Sequence, residues 1–423
     1  MPNRRVGDRF MRSQRFPLVL AAAVVAAGSA VACSSTPDIK TGPPPIDALF
    51  TSYVAIGNSL TAGMQSDGIN DSTQRQSYPR LFAEQVKTRF AYPSFAGNGC
   101  PPPIVNFLTG ERVGGDTNST ACSLRNVTAP GAPGAISGLL NDVAVPGAVS
   151  LDPTSESGSQ PNPLTTFILG GLTQVQKGLE ANPTFVSIWI GNNDALVAAL
   201  SGILTPVPNI SPGITPVDSF EAHYTTMLNQ LDSGGLALKG GALFAVVNVV
   251  NAALLFEDSL LQNPQYLGAF EAVSGPVTLD PSCTKTSGAL INFELAGAIR
   301  RGLHPPIVAC APTSNPPVGN VYVLDKTERA TVTSTVAAYN AFIQSTAHTR
   351  GWAYVDVNPT LSALKASGAI PPFPDLSNPT QPFGLYVTND GVHPSATSHR
   401  LIANLMIDSV NATYGKSIPE VSP

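Results

Sequence analysis

At 423 residues, with 43% hydrophobic and 12% charged residues, the chain is long enough to bury a large core and too apolar to be disordered. Its 39 Pro and 37 Gly predict long irregular loops within a globular body. A formal net charge of -5 and the lack of a Lys/Arg cluster in the body exclude a nucleic-acid-binding footprint.

The concentrated positive charge is at the start, where Arg4, Arg5, Arg9, Arg12 and Arg15 precede an apolar run over 16–32 that ends in "SAVAC". This three-part layout predicts an export signal over 1–32. A membrane span is the rival, but the run is Ala-rich, ends in small residues and is barely long enough for about 30 Å of hydrocarbon. The stretch Ala30-Val31-Ala32-Cys33 resembles a bacterial lipobox, with Ala where Leu or Val is usual at its first place. That resemblance implies Cys33 as a lipidated N-terminus and a membrane-anchored protein of the cell envelope, and Ser34 is compatible with outer-membrane sorting. Met11 offers a second start site that still leaves a compact signal. Residues 33–50 then read as a Pro-rich, semi-extended tether, and 51–423 as the folded domain.

Within that domain the run "YVAI" at 53–56 predicts a buried strand, with Gly57 at the bend and a helix start near Thr61. Ser59 therefore falls at the end of the strand. Four further strands are predicted at 142–145 (DVAV), 185–190 (FVSIWI), 243–250 (LFAVVNVV) and 352–357 (WAYVDV), each almost continuously apolar, as strands covered on both faces are. Helix-compatible stretches lie at 77–90, 163–181, 220–233, 331–351 and 399–415. The last has Leu401, Ile402, Leu405, Met406 and Val410 on one face and stops at Gly415. The alternation predicts βαβ units and a parallel sheet with helices on both sides.

Two long loops, about 92–140 and 251–320, interrupt the alternation, and each holds two cysteines. With Cys33 set aside, Cys100, Cys122, Cys283 and Cys310 allow three pairings; the local ones, Cys100 with Cys122 and Cys283 with Cys310, close at least entropic cost. Metal binding is disfavoured, because the sequence has no CxxC and no HExxH and its five His are scattered. Apolar residues of the second loop, including Leu254, Leu260, Leu261 and Phe270, are expected either to wall the substrate pocket or to pack on the main body.

Ligands of such sheets bind at the carboxyl ends of the strands. There the sequence offers Gly57-Asn58-Ser59-Leu60, Pro146-Gly147-Ala148 and Gly191-Asn192-Asn193-Asp194. Near the C-terminus stands "TNDGVHPSATSHR", with Asp390 and His393 three apart. A serine hydroxyl needs a base oriented by a third group, and Ser59, His393 and Asp390 supply those types. The backbone N–H groups of Ser59 and Gly147 and the Asn193 amide would serve as oxyanion donors. Asp356 is a rival orienter at a strand end, His399 a conceivable metal partner of His393, and His223, His304 and His348 are read as surface or packing residues.

Taken in order, "GNSL", "VPGA", "GNND" and "DGVHP" resemble the blocks of the SGNH hydrolases, the esterase and lipase family often called GDSL. The resemblance spans about 52–415. It implies a three-layer αβα (flavodoxin-like) fold with a central parallel sheet of about five strands, no metal or other cofactor, and hydrolysis of carboxylic esters through an acyl-enzyme; small-molecule, lipid and glycan esters stay open as substrates, and a monomer is expected. Asn58 departs from the family's Asp before the Ser; an amide keeps the carbonyl acceptor and loses the charge. Two other outcomes stay open here: an acyltransferase using the same site, and a surface-binding module on a hydrolase scaffold that has lost activity.

Overall fold

The computed structural model describes residues 46–95, 97–122, 139–155, 165, 168–234, 237–311 and 321–422. The expected signal, Cys33 and the tether up to residue 45 lie outside these residues. Among the described residues, no helix is long and apolar enough to cross a membrane.

The central sheet is parallel and has four strands: β1 (Tyr53–Gly57), β4 (Phe185–Trp189), β5 (Gly240–Phe244) and β11 (Ala353–Val355), in the order β1-β4-β5-β11. All residues of β1, β4 and β5 are buried, which is why these runs read as continuously apolar. Side chains alternate between two cores. Val54, Ile56, Val186 and Ile188 face one layer, packed by the helices Gln174–Leu179, Asn193–Ser201, Val217–Gly234 and Lys326–Arg350. Tyr53, Ala55, Phe185 and Trp189 face the other, packed by Tyr78–Gln85 and Ala396–Tyr414. The expected αβα layering is present.

Three expected elements differ. The predicted strand at 142–145 pairs with the free edge of β1 through Val143 N–H to Ala55 O (3.0 Å) and Val145 N–H to Gly57 O (3.1 Å), but it forms only an isolated bridge rather than a full fifth strand. The predicted strand at 243–250 begins earlier and leaves the sheet after Phe244. Beyond that point three asparagine side chains take the amides a strand neighbour would take: Asn340 accepts from Val246, Asn192 from Val247 and Asn358 from Asn248, at 2.7–2.8 Å. The helix expected over 163–181 is confined, where described after residue 169, to Gln174–Leu179, because Gly170 and Gly171 adopt left-handed backbone (φ 71° and 90°) and Thr173 caps a new start.

The two long loops carry structure of their own. The first contains the hairpin β2 (Ile104–Asn106) and β3 (Glu111–Arg112) and the disulfide Cys100–Cys122. The second contributes β6 (Leu255–Glu257), β7 (Thr278–Leu279), β8 (Leu290–Asn292), β9 (Ile307–Val308) and the disulfide Cys283–Cys310, with helices Pro264–Ser274 and Glu294–Arg300. With β10 (Val323–Leu324) it makes an antiparallel sheet in the order β10-β8-β6 and a third hydrophobic core built on Leu254, Phe256, Leu261, Phe270 and Phe293. Strands of two or three residues are too short to leave a periodic signal in the sequence.

The turn after β1 has room for glycine alone. A Cβ on Gly57 would lie 2.2 Å from Thr61 Oγ1 and 2.8 Å from the Trp189 carbonyl oxygen. Gly57→Ala should therefore lower stability by about 1–3 kcal/mol, through overpacking against backbone, and would be checked by denaturant unfolding beside an exposed control such as Gly268→Ala, where a Cβ meets nothing.

Candidate active site

Ser59 is the first residue of a one-turn helix, Ser59–Ala62, that leaves β1 at its carboxyl end. Asn58 caps that turn: its Oδ1 accepts from Leu60 N–H at 3.1 Å and its carbonyl from Ala62 N–H at 2.9 Å. The carbonyl acceptor retained at this position thus does the capping without a charge.

His393 comes to Ser59 from the loop before the last helix. Its Nε2 lies 2.9 Å from Ser59 Oγ and its Nδ1 lies 2.7 Å from Asp390 Oδ2. The carboxylate is held from several sides. Its Oδ1 accepts from the N–H groups of Val392 (2.8 Å) and His393 (2.9 Å) and from Thr388 Oγ1 (3.1 Å), while Oδ2 also accepts from Asp67 N–H. Burial alone would push the Asp390 carboxyl up, but the neighbouring His393 ring and these N–H donors override it and hold the group well below the usual carboxylate range. For His393, burial pushes the ring down, yet the Asp390 charge and hydrogen bond, aided by Asp67, raise it above its ordinary value of 6.5.

Asn193 opens the helix Asn193–Ser201 after β4, and its Nδ2 donates to Ala148 O at 2.9 Å. Gly147, one residue earlier, turns with φ 82° after the segment that flanks β1. Asp194 secures this turn: its Oδ2 accepts from Ser150 N–H (2.8 Å) and its Oδ1 from Ser150 Oγ (2.6 Å). Burial raises Asp194 to about 6. The same hydroxyl lies 3.0 Å from His223 Nδ1, which gives that histidine a packing partner.

Beside Ser59 lies a cavity of about 130 Å³ that is also bordered by Trp189, Asn192, Asn193 and His393. Its far walls come from the helices Asn358–Ala366 and Ala396–Tyr414. The arrangement joins a hydroxyl, an imidazole, a carboxylate and amide donors at one rim of a parallel sheet.

A protein-family model described as GDSL-like lipase/acylhydrolase matches residues 53–406. The chain belongs to that family. It is a GDSL-type serine ester hydrolase, as the order of its blocks predicts. Among solved structures, the fold is similar to Axe2, an acetylxylan esterase from Geobacillus stearothermophilus, at 11% identity over 88% of this chain and 97% of that one, with a TM-score of 0.36. It is also similar to an alpha/beta hydrolase from the metagenome of Lake Arreo, Spain, at 11% identity over 86% and 95%, with a TM-score of 0.36. No curated protein matches the chain.

In this GDSL hydrolase the remaining sequence candidates lie elsewhere. Asp356 is exposed and its Oδ1 accepts from Asn358 N–H at 2.9 Å and from Asn358 Nδ2 at 2.8 Å, so it is engaged with Asn358 rather than orienting His393. His399 is fully buried, and its Nδ1 accepts from Tyr78 N–H at 3.3 Å; burial drives its pKa down to about 3. The expected wall from the second long loop is also corrected. Its residues 251–253 reach the cavity, while Leu254, Leu261 and Phe270 are buried in the loop's own core.

The sequence reading missed Asp67, Arg112 and Thr388. Ser66 and Asp67 are successive left-handed residues (φ 53° and 50°) in a turn that faces the Asp390 loop. There Ser66 N–H donates to Thr388 Oγ1 (2.9 Å) and Asn389 N–H to Ser66 Oγ (3.2 Å). Arg112, buried in the first long loop, fixes the turn through Asp67 Oδ2 (2.6 Å), Asp67 O (2.8 Å) and Pro102 O (2.8 Å). A lone Arg in a Gly/Pro-rich loop carries no signal that it will reach a turn 45 residues away.

Neutral His393 is the form that can accept the Ser59 proton. Turnover should therefore rise with pH along one limb whose midpoint lies above 6.5, and Asp390→Asn should move the His393 midpoint downward. Titration of the His393 ring signals by NMR in both proteins, beside the pH dependence of kcat/KM, checks the direction.

Proposed function

We propose that Ser59 attacks the carbonyl carbon of a carboxylic ester while His393 Nε2 takes its proton. The observation that carries this reading is the continuous hydrogen-bonded chain from Asp390 Oδ2 through His393 to Ser59 Oγ, at 2.7 and 2.9 Å. The new Oγ–C bond gives a tetrahedral intermediate whose oxyanion is received by the N–H groups of Ser59 and Gly147 and by the Asn193 amide. Collapse breaks the bond to the alcohol oxygen, and the alcohol leaves with the proton held by His393. Water, deprotonated by the same nitrogen, then releases the acid and restores Ser59. Asp390 keeps Nδ1 as the donor and stabilises the charged ring, and the Asp67 turn keeps Asp390 in place.

Export and lipid anchoring through Cys33 complete the proposal. The Arg-rich start, the apolar run and "AVAC" support it, and so do two disulfides in the folded body, which suit an oxidising compartment. Metabolic labelling with a clickable fatty acid should mark the full-length protein in the membrane fraction. Labelling that persists in Cys33→Ala, or that never appears, would remove this part.

An organophosphonate probe should label one residue, Ser59, as read by peptide mass, and Ser59→Ala should abolish both labelling and ester turnover. Asn193→Ala should lose roughly 3 kcal/mol of transition-state stabilisation, seen in kcat rather than KM. Labelling at another serine, or undiminished turnover in Ser59→Ala, would overturn the assignment.

A further inference from the structure

The site's chemistry leaves open which part of an ester occupies the cavity beside Ser59. We infer that it holds the acyl half of the substrate as an unbranched aliphatic chain; this rests on the acyl-enzyme reading of Ser59. Six leucines border the space: the buried Leu60, and Leu196, Leu361, Leu364, Leu401 and Leu405. The last five are only half-buried, although Leu196, Leu361, Leu364 and Leu405 each pack on one side against a protein core. Apolar side chains concentrated around one void, beside a reacting hydroxyl, are a surface that a hydrocarbon chain would cover.

Three polar groups of the wall are engaged within the protein, while Asn192 Nδ2 has no hydrogen-bond partner among the described residues. Asn192 Oδ1 accepts from Val247 N–H at 2.8 Å, Asn193 Nδ2 donates to Ala148 O at 2.9 Å, and Ser398 Oγ donates to Tyr386 O at 2.6 Å. A sugar or other polyhydroxy group placed there would lose its hydration without comparable replacement bonds, a cost a methylene chain does not meet. The acyl group is also the part that stays. It remains bonded to Ser59 Oγ after the alcohol departs, whereas the alcohol, and then water, must reach His393 Nε2 from the solvent side.

Burying a methylene in such a cavity should raise kcat/KM roughly fourfold. The test uses p-nitrophenyl acetate, butyrate and hexanoate beside ethyl, butyl and hexyl acetate. The expected result is a stepwise rise along the acyl series and little change along the alcohol series. Leu364→Phe and Leu405→Phe, which fill the space, should each lower the hexanoate-to-acetate ratio of kcat/KM by about tenfold or more. A flat or falling acyl series, or a rise along the alcohol series, overturns the inference while leaving Ser59 in its role. Calorimetric titration of Ser59→Ala with hexanoate and acetate needs no turnover, and hexanoate should bind at least tenfold more tightly. Should the native chain hydrolyse none of these esters, tighter hexanoate binding would uphold the pocket and remove only the acyl-enzyme reading; equal or absent binding would remove both.

Discussion

The bond between Ser59 and His393 joins groups 334 residues apart, and the rest of the site depends on keeping it short. One end is rigid because β1 pairs with β4 on one side and with residues 141–145 on the other, and then enters a capped helical turn. The other end is a loop whose carboxylate has been taken largely out of water. Such a charge is tolerable only with enough donors, and Asp390 receives them from its own loop and from the Asp67 turn. The loop is pinned on a further side, where Leu254 N–H donates to Gly391 O at 2.9 Å. A Cβ on Gly391 would come within 3.0 Å of the Leu254 backbone nitrogen, so this contact requires glycine. Both long insertions therefore touch the Asp390–His393 loop: the first through Arg112 and Asp67, the second through Leu254.

What the sequence made legible follows from what is local. Ser59, Asn193, Asp390 and His393 were visible because each sits beside a short apolar strand or a Gly-bounded turn, and strand ends of a parallel sheet converge. The buttress was not visible. Ser66 and Asp67 hold left-handed backbone as the two central residues of a tight turn closed between Gln65 and Gly68, but nothing in "MQSDGI" shows that this turn packs against the Asp390 loop. The end of β5 was misplaced for a related reason: Val246, Val249 and Val250 are as apolar as strand residues, but the amides of 246–248 are satisfied by Asn340, Asn192 and Asn358, which arrive from distant parts of the chain. Likewise, the second insertion has an apolar sequence because it builds a core, and an apolar composition alone did not distinguish that core from a pocket wall.

Asn58 illustrates how a departure from a family pattern is weighed by geometry. The cap on Ser59–Ala62 needs one acceptor aimed at Leu60 N–H, and an amide oxygen meets that need. The site is fully buried, and the Asn58 Nδ2 has no hydrogen-bond partner among the described residues, so the amide carries a small desolvation cost of its own. A carboxylate there would bring a second buried charge close to the Asp390–His393 pair. The neutral side chain supplies the same cap without that charge, and the placement of Ser59 against His393 persists.

Chemistry and specificity share one helix. Leu401 and Leu405 lie on Ala396–Tyr414, which begins three residues after His393, and Ile402, Met406 and Ile407 seat the same helix on the central sheet. The opposite wall, Leu361 and Leu364, packs on the core of the second insertion. Beyond residues 251–253, which border the cavity directly, the insertion influences it from behind, by fixing where the helix Asn358–Ala366 sits. A change in the insertion core would move Leu361 and Leu364 and leave β1 and Ser59 in place, whereas a change under Ile402 or Met406 would move wall and base together. Substrate preference can therefore vary through those parts of the insertion core that do not include Leu254, which also holds the Asp390–His393 loop, while the helix that follows His393 is constrained by both functions at once.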